Sequence, residues 1–288
     1  MSKHLAISVC ALLAPSCTAT VPRVRAVQDA PEKSADEIAK ELSNPTAALA
    51  SLNANFIYRE LDGNLPGANG QDSFSLFLQP AFPFPQGDGY NLIFRPGISL
   101  LTNEPFFDTG TGSIDTENLN LSDLGFDLAY GTTTPGGTLM LGGLVGTIPT
   151  ATDDDLGRSK WALGPEVALG LVREWGVVGA LVSHQWDVAG GGSTDINQTG
   201  AQYFYAVSLV DGWQLGAGPT ISYNHEVNSD NALSLPLGLG VFRTMILGGR
   251  PWKFSLEYWN YVESPDNFGP EWEVRFKITP VVKMPWTD

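Results

Sequence analysis

Residues 150–189, TATDDDLGRSKWALGPEVALGLVREWGVVGALVSHQWDVA, constrain this chain more than any other stretch. In the first arm Leu163, Val167, Leu169 and Leu171 alternate with Ala162, Gly164, Glu166, Ala168 and Gly170. Successive side chains of a strand point to opposite faces, so the large apolar residues fall on one side and the small or ionisable ones on the other. Arg173-Glu174 permits a very short reversal, after which residues 175–186 return. Each arm has about ten residues or slightly more, the length with which a tilted strand crosses a bilayer. Trp161, Trp175 and Trp186 stand at the arm ends, where interfacial aromatics belong. A buried hairpin of a soluble protein would alternate in the same way, and the rest of the chain has to decide.

No run after the N-terminus approaches the roughly eighteen apolar residues of a membrane helix. A membrane role therefore requires a closed barrel, the only other structure that satisfies every backbone group in lipid. The formal charge of −15 argues against nucleic acid as a partner, since that needs a basic surface. At the start, Lys3 and His4 precede an apolar run over 5–14, and Val24-Arg25-Ala26 offers a small-x-small cut. Residues 1–26 thus read as an export signal, with cleavage after Ala19 as the alternative. Both cysteines, Cys10 and Cys17, would leave with it, so the mature chain would hold no disulfide.

Ser34-Ala35-Asp36-Glu37 fits a helix-starting capping box, and Asn44-Pro45 closes that segment. Ala35, Ile38, Ala39 and Leu42 form one apolar stripe that could plug a barrel mouth, lie along its rim, or belong to a frayed leader. With a leader over 27–48, the remaining residues 49–288 read as a single all-β domain. It contains about twelve strand-like segments by alternation, near 50–59, 73–82, 90–101, 122–131, 138–148, 161–173, 175–186, 198–209, 213–225, 233–243, 252–261 and 271–281. Connections after odd-numbered segments are mostly long, such as 102–121 and 149–160, and those after even-numbered ones mostly short, such as Glu174 alone. Long external loops and short periplasmic turns are the asymmetry of outer-membrane barrels, and an even strand number leaves both termini in the periplasm. The connection 244–251 is longer than this pattern predicts.

A set of ordered fragments carries a family resemblance. Pro149-Thr150-Ala151-Thr152-Asp153, Leu156-Gly157, Lys160-Trp161 and Gly164-Pro165 come first. LSNP from Leu42, DINQ from Asp195, DGW from Asp211, NSDN from Asn228, LPLGLG from Leu235 and PEWEVRF from Pro270 accompany them. Together they resemble a bacterial outer-membrane β-barrel family catalogued as meta-pathway phenol-degradation proteins, often labelled "transporter" or "neuromedin U". The resemblance implies a barrel of the Gram-negative outer membrane that passes small organic molecules. It brings no catalytic motif and no cofactor.

If the apolar parity faces lipid, the other parity faces the lumen: Arg95, Asp127, Glu166, Gln202, Gln214, Thr220, Asn224, Glu257, Glu273, Arg275 and Lys277. Both signs of charge occur, which predicts weak ion selectivity. These side chains could line a path or pair with one another and fill a narrow interior. Gly97, Gly142, Gly164, Gly216 and Gly238 could leave room for solute or relieve crowding where the sheet bends. Asp153-Asp154-Asp155 lacks the spaced ligands of a calcium loop and reads as a solvated turn. Ser183, His184 and Asp187 suggest a lipase-like triad, but adjacent strand residues point to opposite faces and would not meet. The reading is therefore a single antiparallel transmembrane β-barrel of about twelve strands. Its expected role is passive passage of small uncharged or aromatic solutes, with outer-membrane lipid around it and no metal. A non-conducting structural or adhesive barrel and a membrane-embedded lipid hydrolase are the alternatives.

Overall fold

Residues 33–284 are described in the computed structural model, and their strands join edge to edge until no edge remains. The elements are α1 (Ala35–Glu41), β1 (Ala54–Asp62), β2 (Gln71–Leu78), β3 (Phe82–Gly87), β4 (Tyr90–Asp108), β5 (Ser113–Glu117), β6 (Asn120–Leu121), β7 (Leu124–Thr133) and β8 (Thr138–Ile148). They continue with β9 (Lys160–Arg173), β10 (Gly176–Gly190), β11 (Asn197–Ser208), β12 (Trp213–Ala217), β13 (Thr220–Asn224), β14 (Leu233–Leu247), β15 (Arg250–Glu263) and β16 (Gly269–Pro280). Every pairing is antiparallel, and β1 pairs with β16 to close the ring. Counting β2 with β3, β6 with β7 and β12 with β13 as single staves, and leaving out β5, which pairs only with β4, the barrel has the expected twelve.

Alternation explains the two surfaces. Along β9 the residues read buried and exposed in turn, with Glu166 and Ala168 shut inside and Val167 57 % exposed outside. Outside positions at mid-height carry Leu128, Leu144, Leu239, Leu256 and Phe276, all large, apolar and exposed. Trp161 and Trp186 flank this band at one end, Trp175 and Trp213 at the other. So much exposed apolar surface in a closed ring is stable only against lipid. Val167→Arg should therefore cost about 2–4 kcal/mol, the penalty for a cation at the bilayer midplane, read by urea unfolding in vesicles. A loss of under about 0.5 kcal/mol, as for an ordinary water-exposed site, would contradict a lipid-facing wall.

The two rims differ as the loop lengths predict. At one end the staves are joined by Asp88-Gly89, residues 134–137, 174–175 and 209–212, and Gly248-Gly249. Asp88, Gly89, Gly248 and Gly249 all have positive φ, which suits two-residue turns that match the twist of the flanking strands. The connection expected to be long after residue 243 is instead strand as far as Leu247, which restores the asymmetry. At the other end, the stretch 102–121 is not a free loop. β4 runs on to Asp108 and folds back through β5 as a protruding hairpin.

One seam departs from the simple ladder. The stave expected to run unbroken over 213–225 is interrupted between Ala217 and Thr220. β14 pairs with β12 only over Trp213–Leu215 and with β13 only at Ser222 and Tyr223. Between these, residues 216–221 and 235–240 face one another without ladder pairs. Pro219 and Pro236, lying in this interval, have no N–H to give. Side chains meet the backbone instead. The Tyr203 hydroxyl donates to the Pro236 carbonyl (3.1 Å) and accepts from the Gly238 N–H (3.2 Å), and that of Tyr205 donates to the Gly238 carbonyl (2.8 Å). A Glu257 carboxylate oxygen accepts from the Gly218 N–H, and the Gln202 amide donates to its carbonyl.

Candidate functional site

The site begins with a short helix that stays ordered because it is capped and docked. Ser34 accepts from the Glu37 N–H while the Glu37 carboxylate accepts from the Ser34 N–H, completing the expected capping box. The bond from the Ser34 backbone holds the Glu37 carboxyl below its ordinary range. Ile38 and Ala39 are buried against the wall, and the Gly212 N–H in the β11–β12 turn donates to Asp36 (2.5 Å). A seven-residue helix has little stability of its own, so these contacts hold it.

From the helix the chain crosses the short-turn mouth. Ser43 donates to Gln214 (3.1 Å) on one side and accepts from the Lys253 ammonium (2.7 Å). On the far side Asn44 donates to Thr133 (2.9 Å), and Asn91 donates to the Thr46 carbonyl (2.9 Å). β12 and β14 lie about half a turn of the ring from β4 and β7, so residues 42–46 span the mouth along a diameter. Of the three placements open to the leader, the structure shows the one across the mouth.

Above this bar lies a cavity of about 530 Å³. Of the predicted lumen residues, Arg95, Asp127, Glu166, Gln202, Thr220, Glu257, Arg275 and Lys277 line it. Gln214 and Glu273 point inward but are fully buried, one beneath the leader and the other behind two arginines. Asn224 instead accepts from the Glu226 N–H and serves the loop at the long-loop rim. Gly142 shares the outward parity of Met140 and Leu144, so it gives the solute no room. Gly97 faces a ring: a Cβ there would stand 2.8 Å from Phe77.

Charges are tied across the wall in two groups. Glu273 receives Arg59 on one oxygen (3.0 Å) and Arg275 on the other (2.5 Å), and the Arg275 guanidinium lies 3.6 Å from the centre of the Trp259 ring. On β4, β7 and β9, Arg95 meets Asp127 at 2.7 Å and Glu166 at 3.9 Å. Sequence reasoning missed Arg59, Lys253, Ser255 and Trp259. The signal was present, because Lys253, Ser255 and Trp259 share the parity of Glu257.

The lipase-like trio does not assemble. Ser183 lines the cavity, while His184 faces outward and contacts Thr199 (2.8 Å) and the Trp186 ring. Asp187 instead receives the Lys160 ammonium (3.3 Å) and the Ile196 N–H (3.0 Å) near the rim. Asp153 turns back to accept from the Asp155 N–H. Among the described residues no group of three or more acidic, histidine or cysteine side chains is placed to hold a metal.

No family model matches the chain, and no curated protein matches it. Among solved structures it is similar to an outer membrane channel from Pseudomonas putida F1, with a TM-score of 0.58 at 13 % identity over 83 % of this chain and 98 % of that one. It also superposes on the NanC porin, with a TM-score of 0.46 at 9 % identity over 81 % of this chain and 100 % of that one. Another is the CymD monoaromatic hydrocarbon channel, with a TM-score of 0.43 at 12 % identity over 85 % and 92 %. The first of these likenesses establishes the fold, that of an outer-membrane β-barrel.

Proposed function

We propose that the chain is a channel of the bacterial outer membrane that passes small organic solutes, aromatic ones among them, with both termini on the periplasmic side. The observation that carries this reading is the cavity, about 530 Å³, enclosed by a ring whose outer wall suits lipid. That volume lies in the range of small-molecule sites. Its lining mixes paired charges and amides with the rings of Phe77, Phe204, Phe242 and Trp259, which fits a solute with an apolar body and a polar edge. The sequence resemblance to phenol-degradation barrels and the similarity to a channel of the same architecture support the same reading. An export signal over 1–26 would deliver the chain, although that segment lies outside the described residues.

The leader across the mouth favours a second reading, a barrel that is closed and purely structural. Planar bilayers separate the two. A channel gives discrete current steps that millimolar aromatic solute reduces from one side. Membranes that stay sealed at every voltage, with vesicles that do not swell in a small sugar, would leave the structural role.

A further inference from the structure

The cavity floor has a chemistry distinct from its walls. Three neighbouring ladders stack its side chains: Gln214 lies opposite Phe242, Phe242 opposite Ser255 and Ser255 opposite Lys277, while Lys253 sits between Thr244 and Thr279. Lys253 and Lys277 are thus diagonal neighbours on one face of the β15–β16 pair, a spacing of about 7–8 Å between backbones that long side chains bridge. Neither ammonium has a carboxylate within 4 Å among the described residues. Of the acids on the surrounding elements, Glu257 is a diagonal neighbour of Lys277 on the same face, with one oxygen accepting from the Gly218 and Trp259 N–H groups, while Asp36 accepts from Gly212 and Glu41 from Lys33.

Uncommitted hydrogen-bonding groups surround these lysines. Ser255 is 2 % exposed, lines the cavity, and its hydroxyl has no protein partner. The Gln214 amide nitrogen and the Thr244 hydroxyl, behind Ser43, are also unpartnered and fully buried. Lys253 spends one of its three N–H bonds on Ser43 and lies 4.6 Å from the centre of the Phe242 ring. Buried donors are normally satisfied, and two neighbouring cations without an ion-pair partner are favoured by an anion or water. An anion entering from the cavity would meet Lys253, Lys277 and Ser255 at one end, with the Phe242 ring, opposite Ser255 in the ladder, beside its apolar body.

We propose that the floor of the lumen, built by Lys253, Lys277 and Ser255 beside the Phe242 ring, is a binding site for the carboxylate of a small aromatic acid. This deepens the channel reading and depends on it only for the physiological traffic. The site sorts solutes by charge at the point where they approach the leader.

Binding of benzoate, benzyl alcohol and acetate to the refolded barrel, followed by calorimetry in detergent, tests this without requiring flux. Benzoate should bind at least tenfold more tightly than either comparison compound. Lys277 makes no side-chain hydrogen bond among the described residues, so Lys277→Met should abolish the preference for benzoate while the barrel keeps its heat-modifiable migration. Lys253→Met serves as the second variant, and Lys277→Arg should keep the preference. Equal affinity for benzoate and benzyl alcohol, equal affinity for benzoate and acetate, or a preference that survives both methionine variants would each overturn the site. If bilayers stay sealed but benzoate binds as described, the channel reading fails and the site stands.

Discussion

Deleting residues 33–48 raises the conductance of the reconstituted barrel several-fold and abolishes its closed periods. The effect is large because the segment lies along a diameter of the mouth and forms the cavity floor. Leu42, Ser43, Asn44 and Pro45 all line the cavity. The barrel itself survives, because the ring is closed by β1 and β16 with the leader outside the ladder. Ser51, which bridges Ala81 and Val281, lies beyond the deletion. A graded version unties the leader with Asp36→Ala, Ser43→Ala and Asn44→Ala, removing its bonds to Gly212, Gln214 and Thr133. Each such bond contributes about 0.5–1.5 kcal/mol, so the triple variant should lengthen open times without reaching the conductance of the deletion. Single-channel recording reads both. Unchanged conductance in the deletion would show that the resistance lies higher in the lumen, among the ion pairs of Arg59, Arg95 and Arg275.

Replacing Glu273 by glutamine destabilises the folded barrel by about 3 kcal/mol, the low end of the cost of breaking a buried ion pair. Its carboxylate is fully buried and holds one arginine on each oxygen. Glutamine keeps the shape but takes from Arg59 and Arg275 the carboxylate that both pair with. The arginines are partly open to the lumen, 26 % and 19 % exposed, so water shares the cost and keeps the loss at the low end. Arg59→Met leaves Glu273 paired with Arg275 and should cost much less. Urea unfolding followed by tryptophan fluorescence measures both, and the double variant should recover part of the loss, because residues in one network are not additive. Equal losses for Glu273→Gln and Arg59→Met would contradict a central role for the carboxylate.

The contrast between what β9 and β12–β13 disclose in sequence has a physical cause. In β9 each side chain obeys a single rule, large outside and small inside, and parity alone assigns its face. Across residues 213–225 the same parity holds on both sides of Gly218-Pro219, so the break is invisible to alternation, and only the two prolines mark it. The helix was legible because its cap is local, formed by Ser34 and Glu37. Its position was not, since that depends on bonds to Gly212, Gln214 and Thr133, all distant in sequence. Parity found Glu257, Arg275 and Lys277, yet could not show that Lys253 and Lys277 form no ion pair among the described residues, because strand order and register decide which charges meet.

Barrels owe their toughness to cooperativity: with no margin to fray, the whole hoop must give way at once. Here the hoop has a stitched interval, where hydroxyls of Tyr203 and Tyr205 stand in for the missing rungs between residues 216–221 and 235–240. A phenol on a side chain swings away more easily than a peptide group fixed in its strand. Thermal breathing will therefore start at this line, and the Gly238 amide will trade its proton for solvent deuterium long before those of β9 and β10.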